Sequence, residues 1–374
     1  MLDRPKLLAA LQAVSTALFA DNSTEYNLAR DTWDTLLQDP QLQEKCALAS
    51  PSWSLPTWID DIKKITPIMP LNKPYQVIAV DGSQIYPDKH QGTQCFLINI
   101  GTITLSYNLP IKGISVSSAP TIFTNQTHQW DRDTIQTVDM VNCKREELEL
   151  KVGFELLTES SIATSQKLFL FDGSLIFWHL ESKEFSLKDY FIKTYCKLLE
   201  QLKEGQFLCA GYISLPKSKD LVSIARAFLS DFKSPSQETK HLPQTTDGVI
   251  MSNFLPHATR SALFKSSSPI TVLYPPEVAP YFFYMNVGTE IVRVEIPAYI
   301  AHNTAAVNTI SSMLLDQAHK GFGFPVALAE AHEQAVVKGA DREFFYHVIE
   351  KLSIEEKKQL IPSQKSRKKR GMAV

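Results

Sequence analysis

The sequence predicts an α/β fold in which a mixed β-sheet is flanked by helices. Two observations predict it: several short β-rich runs come first in the main part of the chain, and helices then alternate with further strands. Parallel neighbours in a sheet need a crossover connection, which a helix usually supplies. With 374 residues, 44% of them hydrophobic, the chain can bury a large core in one big domain or in one domain plus extensions.

The N-terminal part, residues 1–74, is expected to be a helical region followed by a linker. Apolar residues recur at helical spacing over residues 5–50, and the polar break at 21–24 can cap a second helix. The proline-rich stretch 51–74 is typical of a connector into the main domain.

The main domain is expected over residues 75–355. Strands are predicted at 75–80, 94–100 and 102–107, followed by a helix at 139–160, a strand at 168–171, a helix at 187–203, a strand at 207–213 and a helix at 218–232. Three antiparallel strands followed by alternating helices and strands is the order of RNase H-like domains. The expected fold is therefore an RNase H-like mixed five-stranded sheet flanked by helices.

The last third of the chain predicts an α+β extension. Residues 234–268 are polar and are interpreted as a long loop or insertion. Strands are then predicted at 270–274, 281–287 and 290–296, and helices at 304–319, 326–337 and 341–352. A basic tail over 356–374 contains the cluster Lys365–Arg370, which either contacts DNA or is simply a solvated tail.

Composition excludes several classes of protein. Net charge is only -2, so any affinity for nucleic acid must come from local basic patches. The five cysteines are scattered without a Cys-x-x-Cys pair, which argues against a disulfide framework and against a zinc site. Because no run approaches the roughly 20 apolar residues of a membrane span, we expect no membrane contact and a cytoplasmic location.

Two Asp-Gly-Ser tripeptides each follow an apolar run that is typical of a central strand. They begin at Asp81 and Asp172, so both carboxylates are expected where strand ends face the crevice of an open sheet. The hydroxyls of Ser83 and Ser174 could bond neighbouring backbone or a phosphate. The alternative interpretation is a pair of turns that merely end two strands.

Two carboxylates held close together repel each other unless a cation neutralises them. An oxygen-rich site of this kind suits Mg²⁺ or Mn²⁺, and a pair of such ions can hydrolyse a phosphodiester. A third carboxylate is expected from the helix at 139–160, where periodicity leaves both Glu149 and Glu155 open. His332, with apolar residues on its helix face, is expected to point inward as a core residue or as a ligand.

Residues 211–219 run from a strand end into a predicted helix N-terminus. The backbone N–H groups, a Ser218 cap and the side chains of Lys217 and Lys219 could hold a phosphate there. An ordinary capped helix with surface lysines explains the same residues.

The chain resembles the NurA nuclease family from about residue 75 to 350. The segments that carry the resemblance, in chain order, are Val80-Asp81-Gly82-Ser83-Gln84-Ile85-Tyr86-Pro87, Arg145-x-x-Leu148-Glu149, Phe171-Asp172-Gly173-Ser174, Gly211-Tyr212-Ile213-Ser214-x-Pro216-Lys217-Ser218, Val292-Arg293-Val294-Glu295-Ile296-Pro297 and Gly323-Phe324-Pro325 leading into His332. Each segment is weak alone, whereas their order is specific.

The resemblance implies a homodimeric, manganese-dependent DNA nuclease with 5'-to-3' exonuclease and single-strand endonuclease activity. It also implies that the nuclease acts together with a hexameric HerA-type ATPase in the processing of double-strand breaks. Carried over by position, it assigns two metal ions to Asp81, Glu149, Asp172 and His332, and so favours Glu149 over Glu155.

One position departs from the family pattern. The family usually has tyrosine before the proline that precedes the last histidine-bearing helix, whereas this chain has Phe324, which lacks a phenolic O–H. A tyrosine from elsewhere could replace it. The departure keeps open a non-cutting scaffold that binds DNA or a translocase, and the metal crevice keeps open a small-nucleotide phosphohydrolase.

Overall fold

A computed structural model describes residues 2–19, 21–49, 54–88, 95–109, 113–124, 137–159, 166–233 and 241–356. Within these residues one sheet contains eleven strands. They are β1 (Thr57–Ile59), β2 (Thr66–Pro67), β3 (Tyr75–Ile85), β4 (Cys95–Tyr107), β5 (Ile114–Thr124), β6 (Gln166–Asp172), β7 (Leu208–Ile213), β8 (Thr259–Arg260), β9 (Leu263–Lys265), β10 (Pro280–Asn286) and β11 (Ile291–Pro297).

Twelve α-helices lie in the same described residues. They are α1 (Arg4–Ala13), α2 (Ser15–Leu18), α3 (Ser23–Leu36), α4 (Leu42–Leu48), α5 (Val138–Glu159), α6 (Phe185–Glu204), α7 (Asp220–Leu229), α8 (Asp247–Phe254), α9 (Ala298–Ala301), α10 (Thr304–Lys320), α11 (Val326–Ala335) and α12 (Gly339–Glu355). No helix in this part of the chain is long and apolar enough to cross a membrane.

The expected fold class is confirmed, and the sheet is larger than the five strands predicted for its core. Those five have the order β5-β4-β3-β6-β7, with β4 antiparallel to both β3 and β5, and with β6 and β7 parallel to β3. Strand β11 pairs antiparallel with β7, and β10, β9 and β1 follow it outward. The C-terminal extension therefore continues the same sheet.

Strands β4 and β5 correct the prediction for the antiparallel part of the sheet. The runs at 94–100 and 102–107 are not two strands, because β4 passes straight through Gly101, and the third antiparallel strand is β5. A Cβ at Gly101 would lie 2.3 Å from the Ala335 nitrogen of α11. The glycine therefore marks a close approach of a helix to the sheet and does not mark a turn.

Two segments predicted to be irregular also contribute to the sheet. The expected linker contains β1 and β2, which pair with β9 and β8. The expected loop at 234–268 contains α8, β8 and β9 among its described residues. The strand predicted at 270–274 is wrong, because Pro269–Leu273 is a 3-10 helix whose proline favours the first helical position.

Hydrophobic packing on both faces holds the sheet. A large core surrounds β3, β6 and β7, while a second core packs α3, α7 and α8 against the C-terminal strands through residues such as Trp33, Phe264 and Phe282. The N-terminal helix α3 is therefore part of the same folded body. The basic cluster Lys365–Arg370 lies outside the described residues.

Candidate metal centre

The two aspartates end up at the same level of the sheet. Val80 of β3 pairs with Phe171 of the parallel strand β6, and each is followed directly by an aspartate. Because paired residues of neighbouring parallel strands share a face, Asp81 and Asp172 lie side by side at the carboxyl end of β6. The predicted juxtaposition is present.

His332 reaches Asp81 from α11. Its Nδ1 lies 2.7 Å from Oδ2 of Asp81, whereas its side chain is 61% exposed. The expectation that His332 points into the core is therefore wrong. Ala331 and Ala335 are buried and rest on the sheet, which leaves His332 on the flank of α11, beside Asp81.

Glu149 approaches from the opposite face of the sheet. Successive strand residues point to opposite faces, so Asp81 faces α11 while Gly82 faces α5. A Cβ at Gly82 would lie only 2.6 Å from Oε1 of Glu149, so the missing side chain makes room for this carboxylate. Glu155 is half-exposed and lies near Lys151. The structure thus places Glu149, and not Glu155, beside the strand.

Arg145 is a site residue that sequence reasoning left unassigned. Its Nη1 donates to Oε1 of Glu149 at 3.0 Å and to the Gly82 carbonyl at 3.1 Å. The signal was present in the sequence, because positions four apart on a helix face the same side. Arg145 ties α5 to β3 and fixes the direction of the Glu149 carboxylate.

Electrostatics join these residues into one site. Burial raises the pKa of Glu149 well above its usual range; Arg145 opposes the rise, and Asp81 and Asp172 add to it. Burial and then the charge of Asp81 raise the pKa of Asp172, and His332 opposes that rise. Accumulated negative charge is the environment that a divalent cation relieves.

The donor set fits a manganese or magnesium ion in chemistry. Three carboxylates and one imidazole are ligands that Mn²⁺ accepts. Among the described residues, no three acidic, histidine or cysteine side chains are gathered around one common point. Glu149 is bonded to Arg145 and Asp81 to His332, so these side chains satisfy each other in pairs.

The two serines of the Asp-Gly-Ser tripeptides hold the fold. Ser83 donates its hydroxyl proton to the Ala335 carbonyl and so ties β3 to α11. The hydroxyl of Ser174 lies 2.7 Å from Oε2 of Glu295, a fully buried carboxylate that also accepts from the Leu175 nitrogen. Both hydroxyls are engaged within the protein.

The predicted phosphate site at 217–219 is filled from within. Helix α7 begins at Asp220 and has no Ser218 cap; the Asp247 carboxylate accepts the Asp220 nitrogen at 2.8 Å and the Val222 nitrogen at 2.9 Å. A carboxylate therefore occupies the place that an anion would take.

The three polar side chains of that segment differ in their freedom. Ser218 shares a hydrogen bond with the Tyr284 hydroxyl, and Lys219 donates to the Pro243 carbonyl at 2.6 Å. Lys217 is exposed and makes no side-chain hydrogen bond or ion pair within the described part of the chain. Of the three, only Lys217 is left for an external phosphate.

Phe324 stands beside the site and meets a tyrosine. Its ring packs edge-on against Tyr212 of β7, with the ring centroids 5.6 Å apart. Tyr212 is a second residue that sequence reasoning left unassigned, although it pairs directly with Asp172 on the neighbouring strand.

A polar cavity of about 410 Å³ opens next to Arg145. Gln84 and Tyr86, just beyond Asp81 on the same chain segment, form one wall, and His179 and Lys183 form another. Glu149 does not line the cavity itself and is linked to it through Arg145.

Comparison with known proteins decides the family. The sequence model of the NurA domain matches residues 75–337, which is more than half of the chain. The chain belongs to the NurA domain family, a family of nucleases. All four proposed ligands, from Asp81 to His332, lie within the NurA domain. None of the curated proteins matches the chain.

Three solved NurA structures are similar to the chain at low sequence identity. A crystal structure of NurA has 13% identity over a match that spans 76% of this chain and 90% of the NurA chain, with a TM-score of 0.36. For NurA with manganese the identity is 11%, the match spans 92% of this chain and 98% of the NurA chain, and the TM-score is 0.37. For NurA bound to dAMP and manganese the identity is 13%, the match spans 91% of this chain and 95% of the NurA chain, and the TM-score is 0.36. Superpositions this loose add nothing to the family match.

Proposed function

We propose that the chain is a metal-dependent DNA nuclease that hydrolyses phosphodiester bonds at the centre formed by Asp81, Glu149, Asp172 and His332. The observation that supports it most is the placement of the four side chains on neighbouring elements. Asp81 and Asp172 lie side by side on parallel strands, Glu149 approaches that position from one face of the sheet and His332 contacts Asp81 from the other, in a chain of the NurA family.

The proposed cofactor is a pair of Mn²⁺ ions, with Mg²⁺ as the alternative, held by those four side chains. Such a pair, when bound, activates water and stabilises the attacking and leaving oxygens of an in-line displacement. The protein's own residues prepare the site: Arg145 orients Glu149, and His332 holds Asp81. Lys217, an exposed lysine five residues after Tyr212, positions a backbone phosphate of the DNA strand.

The finer activity follows from the resemblance. We propose 5'-to-3' exonuclease and single-strand endonuclease activity, action as a homodimer with a hexameric HerA-type ATPase, and a role in end resection during double-strand break repair. The competing proposal, a scaffold that binds DNA without cutting it, is favoured only by Phe324 in place of tyrosine.

Cleavage of end-labelled DNA tests the proposal. Purified protein is incubated with single- and double-stranded DNA and Mn²⁺, beside Asp172→Asn and the control Asp189→Asn, whose exposed carboxylate pairs with Lys193 on α6. We expect cleavage by the wild type and the control, and a loss of about a thousandfold or more in Asp172→Asn. Equal cleavage by both variants, or none by the wild type, would refute it.

A further inference from the structure

The hydroxyl of Tyr212 is buried without a hydrogen-bond partner in the described part of the chain. Leaving a buried donor unsatisfied costs about 1–3 kcal/mol, so buried hydroxyls in proteins nearly always have partners. Other buried tyrosines here follow that rule: Tyr195 donates to the Cys143 carbonyl at 2.6 Å, and Tyr274 donates to the Leu175 carbonyl at 2.8 Å. Tyr212 is thus an exception that calls for a cause.

Sheet register places Tyr212 in the row of the metal centre. Tyr212 of β7 is the direct parallel partner of Asp172, so the two side chains share a face of the sheet. Asp81 occupies the same row one strand further on, and that face is the one covered by α11. Tyr212, Asp172 and Asp81 therefore form one line across three strands.

Contact with Phe324 provides a second, independent observation. Phe324 immediately precedes Pro325 and the helix that carries His332, and its ring touches the Tyr212 ring edge-on. Position 324 is phenylalanine and has no hydroxyl, whereas the family that the chain resembles usually has tyrosine there. Tyr212, whose ring contacts Phe324, has a hydroxyl.

The Tyr212 hydroxyl is a donor at neutral pH. Burial, and then the charges of Glu290 and Asp172, raise the pKa of Tyr212 further above its usual range, so the phenol keeps its proton. The Glu290 carboxylate is already engaged, because it accepts from the Ser214 hydroxyl at 2.8 Å and from the Leu215 nitrogen at 2.9 Å.

We propose that Tyr212 is a further catalytic residue, whose hydroxyl donates, beside Asp172, to an oxygen of the cleavage reaction in the complex with DNA. This inference rests on the proposed nuclease function and deepens it. The oxygen belongs either to the scissile phosphate or to the water that attacks it, and the shared chemistry is a hydrogen-bond acceptor at the reaction centre.

Tyr212→Phe separates this role from ordinary core packing. The substitution removes an unpartnered hydroxyl and keeps the ring, so the free energy of unfolding should stay the same or rise. Tyr195→Phe is the matched control: it removes a satisfied buried hydroxyl on α6 and should lower stability by about 1 kcal/mol, with kcat close to that of the wild type. A structural role for Tyr212 predicts that the two variants behave alike.

Activity and binding then identify the acceptor. Tyr212→Phe should lower kcat in Mn²⁺ by about a hundredfold, the usual effect of losing one well-placed donor. An unchanged KM and unchanged affinity for labelled single-stranded DNA in Ca²⁺ indicate the attacking water. A raised KM and weaker binding in Ca²⁺ indicate the phosphate. Adding Phe324→Tyr to Tyr212→Phe should restore part of the lost kcat, because the two rings touch.

Different results would overturn the inference about Tyr212 and the proposed nuclease function. Wild-type kcat, KM and binding in Tyr212→Phe overturn the inference and leave the proposed function standing. Loss of stability equal to that of Tyr195→Phe, with activity falling only in proportion, also overturns it. A wild-type protein that cleaves no DNA overturns the proposed function and this inference together.

Discussion

Glu295 lies fully buried beneath the turn that follows Asp172, and its carboxylate accepts the Ser174 hydroxyl at 2.7 Å. The other oxygen of Glu295 accepts the Nε proton of Arg293 at 2.8 Å, and Arg293 in turn donates to Asp220 of α7 at 2.7 Å. A buried ion network on the second half of the sheet therefore sets the exit of the strand that carries Asp172.

Glu295→Gln should destabilise the protein by about 3 kcal/mol, because it leaves the Arg293 charge buried with one partner fewer. Denaturant unfolding measures this change. Glu277→Gln, which alters an exposed group 3.8 Å from Lys203, is the control and should cost at most about 0.5 kcal/mol. Similar losses in the two variants would mean that the network does not support the turn.

Gly82→Ala should impair activity more than stability. The added Cβ would lie 2.6 Å from Oε1 of Glu149 and 2.7 Å from Cγ of Arg145, so those two side chains must move away from the strand. Displacement of a catalytic group by about 1 Å can cost roughly a hundredfold in rate. Paired measurements of kcat and of the unfolding midpoint test this; wild-type kcat would show that Glu149 needs no such approach.

Glu146 and His179 should give opposite pH dependences of stability. Burial raises the pKa of Glu146 to about 7 and lowers that of His179 to about 4, and their facing atoms are 3.2 Å apart. The free energy of unfolding should fall as pH rises from 4.5 towards 7, because the buried Glu146 carboxyl then loses its proton only in the unfolded state. It should also fall as pH drops from 6.5 towards 4, because the buried His179 ring then gains a proton only in the unfolded state. Between about pH 4.5 and 6.5 the two effects oppose each other.

Glu146→Gln removes the pH dependence that comes from Glu146 and leaves that of His179. Its stability relative to the wild type should increase between pH 4.5 and pH 8, by on the order of 3 kcal/mol. Denaturant unfolding of metal-free protein at the two pH values measures the difference. Glu155→Gln at an exposed position of the same helix is the control, and a Glu146→Gln curve parallel to that of the control would contradict the assignment.

Alanine substitutions at Lys217 and Lys219 should have different effects, the first on DNA binding and the second on stability. Lys217→Ala removes an exposed cation, so the salt dependence of single-strand binding should weaken by about one phosphate contact, a slope change of roughly 0.7. Lys219→Ala removes the bond to the Pro243 carbonyl and should cost about 1 kcal/mol of stability with the slope unchanged. Fluorescence anisotropy across a salt series distinguishes them, and equal slopes would exclude a phosphate contact by Lys217.

Local sequence patterns predicted the elements that carry the site. An apolar run that ends in Asp-Gly-Ser predicts a buried strand followed by a turn. This is right for Asp172, the last residue of β6, and wrong for Asp81, because β3 continues through Asp81 to Ile85 and pairs with β4 over that length. Helical periodicity narrowed the third carboxylate to two positions. The choice of Glu149 came from the resemblance and agrees with the position of Gly82 in the structure.

Contacts between segments that are distant in the chain could not be predicted from the sequence. The sequence alone suggests a turn at Gly101, whereas the structure shows a close approach of α11 there. It also suggests a phosphate ligand at Ser174, whereas the Ser174 hydroxyl donates a hydrogen bond to Glu295, which is distant in the sequence. The vacant-looking start of α7 is capped by Asp247 from another helix. Each of these roles depends on which segments meet across the sheet, and residue spacing does not encode that.

Manganese binding tests the central claim most directly, because it does not depend on finding the right DNA substrate. Free Mn²⁺ is followed by electron paramagnetic resonance during titration of the wild type, Asp172→Asn and the control Asp189→Asn. The account predicts that the wild type and the control bind alike and that Asp172→Asn binds at least about tenfold more weakly. Equal Mn²⁺ affinity in all three proteins would contradict a metal centre at Asp81 and Asp172.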